Sequence, residues 1–297
     1  MKTAIILIKR NVKLFFKDKG LFFTSLITPA ILLVLYATFL SNVYRDTFEL
    51  SIPASFKISE SLMSGLVGGQ LVSSILAVSC VTVAFNSNFL MVQDKVNGSA
   101  KDLSITPLRP STLSLCYYVA SITSTLIICL TSLCICLGYL SIVGWYMTLS
   151  DVIFLTIDVI LLVLFGTAIS SVINFFLSSQ GQISAVGTII SSCYGFICGA
   201  YMPISSFSEG LQNIISFLPG TYGTALVRNH CLRGALAQME AEGIPCEVTD
   251  QIRDGIDMNV YFFGERVDLT TMYLILGGTV LVLVLVYVLM NRLKKKV

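Results

Sequence analysis

Six runs of apolar residues, each near the length of a bilayer-spanning helix, constrain this chain more than any other feature. They run roughly Leu21–Val43, Met63–Leu90, Thr112–Leu140, Val152–Leu177, Ile183–Met202 and Leu269–Asn291. A hydrocarbon core needs about 20 residues of helix to cross it. Lipid offers no partner to an open sheet edge, so each run is expected to be helical. The chain is 55% hydrophobic and 12% charged, too little charge to coat a soluble fold. Its 297 residues, enough for two soluble domains, therefore read as one all-α polytopic membrane unit over 1–297. A net charge of +2 gives no pull toward nucleic acid. The first apolar run is too long, and lacks the small-residue pattern, for a cleavable signal peptide.

Six spans put both termini on one side, and lysine and arginine indicate which. Residues 1–20 carry Lys2, Lys9, Arg10, Lys13, Lys17 and Lys19; the segment 91–110 carries Lys95, Lys101 and Arg109; the tail carries Arg292, Lys294, Lys295 and Lys296. The other side holds Arg45, Lys57, Arg228, Arg233, Arg253 and Arg266, four of them in one long loop where charge has little topological weight. The positive-inside rule predicts cytoplasmic termini and a cytoplasmic 91–110 segment.

Residues 3–19 are amphipathic, with Ile5, Ile8, Val12, Phe15 and Phe16 near one face, which suits a helix lying in the inner leaflet. In the fifth run Gly187, Ser191, Gly195 and Gly199 recur every four residues, the pattern of a close-packed seam within the chain or between two copies. Pro29 and the Gly277-Gly278 pair are expected at kinks or close approaches.

Reactive chemistry is sparse. Seven of the nine cysteines (80, 116, 129, 134, 136, 193 and 198) lie in or beside apolar runs, and no Cys-x-x-Cys pair exists, so neither a metal nor a redox site is expected. Cys231 and Cys246 lie in the long outer region, where a disulfide could close a 15-residue loop, unless the cell keeps them reduced. The single histidine, His230, reads as a surface residue, because a metal would need further ligands. Asp158 is the one acidic residue well inside a run. An intramembrane carboxylate is a functional candidate by default, and a place on the substrate path is one reading of it. The other is a plain hydrated carboxylate, because Asp158 lies toward the outer end near Asp151, where water could reach it. Asn86, Asn88 and Asn174 read as bridges between helices.

The stretch MVQDKVNGSAKDLSITPLRP, Met91–Pro110, is polar and punctuated: Gly98 breaks the chain, Ser99 can cap a short helix, and Pro107 and Pro110 end it. So short a helix must dock on something, and Leu103 and Ile105 offer apolar groups for a partner cleft. Here the chain resembles the membrane subunits of type-2 ABC transporters (ABC-2), which carry an acidic residue, Gly-Thr/Ser, Leu and Ser/Thr-Pro after their second span. The matching residues are Asp94, Gly98, Ser99, Leu103, Thr106 and Pro107, although Gln93, Val96 and Lys101 depart from the usual charges.

The resemblance implies six transmembrane helices, an N-terminal interfacial helix over 1–20, a coupling helix within 91–110 seated in a separate ATPase subunit, and short re-entrant helices within 203–268. It also implies pairing with a second copy or a sister permease in the plasma membrane. No Gly-Lys-Ser/Thr occurs in the chain, so ATP and Mg would be bound by the ATPase partner and not here. In the outer region, Pro203–Gly220 with a Ser206/Glu209 capping box is expected to dip into the leaflet as a half-helix. From Ala235 to Asp268 eight carboxylates stand against Arg253 and Arg266, a solvated acidic cap. The expected function is a permease exporting an amphipathic drug, peptide or lipid-like cargo. A lipid-linked glycan exporter and a non-transporting immunity or scaffold protein are the alternatives, and an intramembrane enzyme is the poorest fit because no reactive pair is visible.

Overall fold

The computed structural model describes residues 2–35, 38, 40–52, 56, 58–105 and 109–293. Among these, twelve α-helices and one β-hairpin follow in order. The helices are α1 (Lys2–Lys17), α2 (Lys19–Leu35), α3 (Ser41–Ser51), α4 (Glu60–Val96), α5 (Ser99–Ile105), α6 (Pro110–Val143), α7 (Leu149–Phe176), α8 (Gln180–Ile197), α9 (Glu209–Ile215), α10 (Pro219–Ala241), α11 (Cys246–Gly255) and α12 (Leu269–Leu293). The hairpin strands β1 (Val260–Phe262) and β2 (Glu265–Val267) sit between α11 and α12. We call the end holding α1 and α5 basal and the opposite end distal.

Four of these helices, α4, α6, α7 and α12, are long and apolar enough to cross a bilayer. The chain is a multi-pass membrane protein. Each of these helices keeps the bounds expected from its apolar run to within a few residues. α2 and α8 are the shorter helices of the first and fifth runs. Residues 36, 37 and 39, inside the first run, lie outside the described residues. α3 begins at Ser41 and carries the polar Arg45, Asp46 and Glu49, where Arg45 bonds Glu49 and Glu60. Pro29 lies inside α2, and a side chain at Gly277 or Gly278 would meet open space, so neither glycine is a close-approach site.

Helix starts are written locally. The Ser59 hydroxyl accepts from the Leu62 amide at the head of α4, and capping boxes of Thr148 with Asp151 and Ser179 with Gln182 open α7 and α8. Pro110 and Pro219 occupy the first turns of α6 and α10, where no amide hydrogen is needed. The expected Ser206/Glu209 box does not form: Ser206 ends a 3-10 turn and Ser208 precedes α9. Ser99 is the first residue of α5 and not its cap.

α4 is the axis. Its most apolar 18-residue window is wholly buried, whereas α6 and α12 leave most of theirs open to the surroundings. A helix apolar on every side belongs in the interior. At 37 residues it extends about 55 Å, longer than the bilayer is thick. α2, α6, α7, α8 and α10 pack around it. The basal α1 packs on α6, burying Leu7, Asn11 and Phe15. This corrects the expected apolar face: Ile5 is exposed, and Asn11 points inward.

Candidate functional site

Three polar constellations interrupt this apolar body. The basal one begins at the end of α4. Asp94, expected to face a partner, instead faces inward at 5% exposure. Arg10 of α1 holds it through both guanidinium nitrogens, at 2.7 and 3.3 Å, and the Tyr117 hydroxyl of α6 donates to it at 2.6 Å. The Lys95 ammonium donates to the carbonyls of Asn174, Phe175 and Leu177 at 2.8, 2.9 and 3.1 Å, closing the carboxyl end of α7 where a cation is favoured. Two consecutive residues of α4 thereby tie its basal end to α1, α6 and α7.

α5 follows at once. Gly98 has φ +82°, a left-handed joint open to glycine, and Ser99 starts the helix. Leu103 is half-buried against the chain's own cluster of Met91, Tyr117, Tyr118, Ala168 and Tyr287, whereas Ile105 is 83% exposed. Thr106 and Pro107 lie outside the described residues.

The second feature is a cleft of about 1060 Å³ between α2, α4 and α8. Its wall includes Ile27, Ile31, Ser184 and Thr188, together with the rings of Phe89, Phe196 and Tyr201. Gly187 and Ser191 line it as well, but the small-residue stripe is not one continuous seam. A Cβ on Gly195 would overlap the Tyr201 ring of the same chain, and Gly199, with φ +74°, lies beyond the end of α8. Half of the stripe thus serves a turn within the chain.

The third constellation is distal and was not legible as a cluster. α10 runs antiparallel to α7: Gly223 meets Leu162, His230 meets Asp158, and Arg233 meets Asp151. Leu162 lies 13 residues past the start of α7, about 20 Å along it. The first turns of α10, and not the short α9, are therefore the part that reaches into the bundle. Asp158 is fully buried, which corrects the expectation that water reaches it. His230 is buried as well, not on the surface: its Nδ1 lies 2.6 Å from Asp158, and Phe154 stacks on its ring. The Tyr273 hydroxyl of α12 donates to the other carboxylate oxygen.

Arg228, five residues before Arg233, donates to the carbonyls of Ile256 at 2.5 Å and Gly199 at 2.8 Å, with Asp257 at 3.6 Å. Burial pushes the Asp257 carboxyl up to about 6 despite Arg228 and the Ile204 amide. Cys231 is buried on α10 and Cys246 is exposed at the start of α11; both are free thiols, so no disulfide joins them. The acidic cap is partly internal, since Arg253 bonds Asp250 and Glu240. Among the described residues no cluster of ligands could hold a metal ion. Asn88 bridges α4 to Ser121 of α6 and to Ser170 and Ser171 of α7, as expected for a core asparagine.

A family model for the ABC-2 type transporter matches residues 3–231. The match includes α1 through the first half of α10 and stops beside His230, leaving α11, the hairpin and α12 beyond it. No curated protein matches the chain.

Proposed function

The chain belongs to the ABC-2 type transporter family, as a membrane permease subunit, and from that premise we propose that it couples a separate partner ATPase to export of an amphipathic drug, peptide or lipid-like molecule. In this reading 1–297 is one membrane domain with six spans, α2 and α8 completing the four long helices. Both termini and the 91–110 segment lie in the cytoplasm, at the basal end, and the membrane is the plasma membrane. ATP and Mg belong to the partner, and a second copy or a sister permease completes the pathway along the α2–α4–α8 cleft.

One observation supports the reading: α5 is joined through the two-residue turn Asn97-Gly98 to an unbroken helix that runs from the basal polar ties to α10 at the distal end. A push on α5 is delivered to Asp94 and Lys95, hence to α1, α6 and α7, and along α4 to α10. Rigid-body rocking of a bundle about such an axis needs only a bistable interface. The cleft wall, apolar with scattered hydroxyls, suits amphipathic cargo. A lipid-linked glycan is the second reading, favoured by the three aromatic rings on that wall.

The test is purification of the tagged chain from its native membrane. The wild-type chain should bring down an ATPase subunit. Deletion of Gly98–Thr106 should leave insertion intact and abolish that association, and undiminished co-purification would refute the docking role.

A further inference from the structure

α10 is seated in a slot. A side chain at Gly223 would overlap Leu162 of α7, and one at Gly234 would overlap the carbonyl of Tyr146 in the α6–α7 turn. These two glycines hold α10 at near-backbone distance from its neighbours. Between them lies the fully buried Asp158, whose two oxygens are taken by His230 of α10 and Tyr273 of α12. The Phe154 ring covers the imidazole at 5.3 Å and 16°. Arg233, half exposed, pairs with Asp151 at the distal rim. α4 and α6 bring no charged side chain to this stretch; their ionisable groups in the membrane are thiols and phenols.

Apolar contacts alone would bind α10 as firmly, because buried polar pairs are poor stabilisers compared with packed hydrocarbon. Their effect is on intermediate geometries. Once the donors have drawn back and before water arrives, the carboxylate is stripped and unpaired, the costliest arrangement for a buried charge. The α7–α10–α12 contact is therefore either fully seated or parted far enough to be wet.

We propose that Asp158, His230 and Tyr273 form a latch that fixes the register of α10 and makes distal opening of the permease all-or-none. They act as positioning residues. The proposal rests on the permease reading given above.

Cys231, beside His230 and 4% exposed, is a native reporter. In detergent its modification by a maleimide, read by mass spectrometry of its peptide, should be slow in the wild type without nucleotide. His230→Leu should speed it about tenfold, the scale expected when one hydrogen-bonded partner of a buried group is lost. His230→Asn, which keeps a donor where Nδ1 stands, should restore protection. Cys129, buried on α6, should stay slow throughout and report an intact bundle. If His230→Leu does not fold, Tyr273→Phe removes a single hydroxyl and should give an intermediate rate.

Equal Cys231 rates in the wild type and the latch variants would overturn the proposal, and so would Cys129 rising in step with Cys231. In the ATPase complex, vanadate trapping should expose wild-type Cys231. A complex that hydrolyses ATP while Cys231 stays protected removes the latch and spares the permease reading. A chain that binds no ATPase removes that reading and leaves the nucleotide-free comparison standing.

Discussion

The Arg10–Asp94–Tyr117 contact makes an asymmetric prediction. The Asp94 side chain is 7% exposed and that of Arg10 is 31% exposed, so the two partners do not suffer equally when the other is removed. Arg10→Met leaves a carboxylate inside the bundle with one donor, Tyr117. Stranding a fully buried charge costs about 3–5 kcal/mol; discounted for the retained phenol bond, about 2–4 kcal/mol is expected here. Asp94→Asn leaves an amide that still accepts from Tyr117 and Arg10, and the guanidinium reaches water, so about 1 kcal/mol is expected. The double variant removes the stranded charge, and the second substitution should rescue the first, bringing the loss back to about 1–2 kcal/mol. Thermal unfolding in detergent, with ATPase stimulation of the assembled complex as the functional readout, measures all three. Equal losses from the single variants, or a double variant worse than Arg10→Met, would refute the idea that α1 is pinned through a buried carboxylate.

Other consequences are simpler to state. Gly195→Leu should destabilise the chain through the Tyr201 ring, and Tyr201→Ala should relieve it; a stability loss unaffected by the second change would return that face to a partner copy. Asp257 holds its proton up to about pH 6 when the cap is seated, against 3.8 in the solvated state. The seated cap thus binds the extra proton between those values, its stability falls as pH rises through that window, and the total is about 3 kcal/mol. Asp257→Asn should flatten this slope, and a melting temperature that instead climbs from pH 4 to pH 7 in the wild type would contradict the sign. Arg45→Ala, at an exposed pair, should leave the thermal unfolding midpoint near that of the wild type; a clear drop would mean α3 is held through it.

The spans were legible because lipid leaves the backbone one solution and composition marks where it applies. Pro110, Thr148 and Ser179 then set starts within three residues of those expected. What the sequence concealed was α10. It carries Arg228, Asn229, His230 and Arg233, and on hydropathy alone such a segment belongs in water. In the fold each of these side chains finds a partner, in the carbonyls of Ile256, Gly199 and Met258 and in two α7 carboxylates, with Arg228 Nε left over, so a polar helix sits among apolar ones. A signal was present. The chain has one deeply placed acid and one histidine, and an intramembrane carboxylate needs a partner; pairing Asp158 with His230 would have drawn α10 inward. Asp94 misled for the opposite reason. Its place beside a polar segment resembles a docking residue, and nothing local reveals that Arg10, 84 positions away, has claimed it.

The two ends of the molecule therefore use buried charge differently. At the basal end the cations come from α1 and from α4 itself. Arg10 keeps a third of its side chain exposed, and Tyr117 stays on Asp94 when the guanidinium shifts, so the buried carboxylate keeps a donor as the contact flexes. At the distal end His230 and Asp158 are both enclosed, and separation must pass through an unsolvated state. On the proposed reading, a compliant joint where force enters and an abrupt one where the bundle opens would let a graded push on α5 accumulate along α4 before α10 releases. Exchanging their characters should reverse that order. Softening the distal contact with Asp158→Asn, which removes the charge and keeps one of the two acceptor oxygens, should let the distal end open before the push is complete, giving ATP hydrolysis that no longer depends on cargo, while assembly with the ATPase is unchanged. Cargo-dependent hydrolysis at the wild-type ratio in that variant would mean the distal charge has no part in timing.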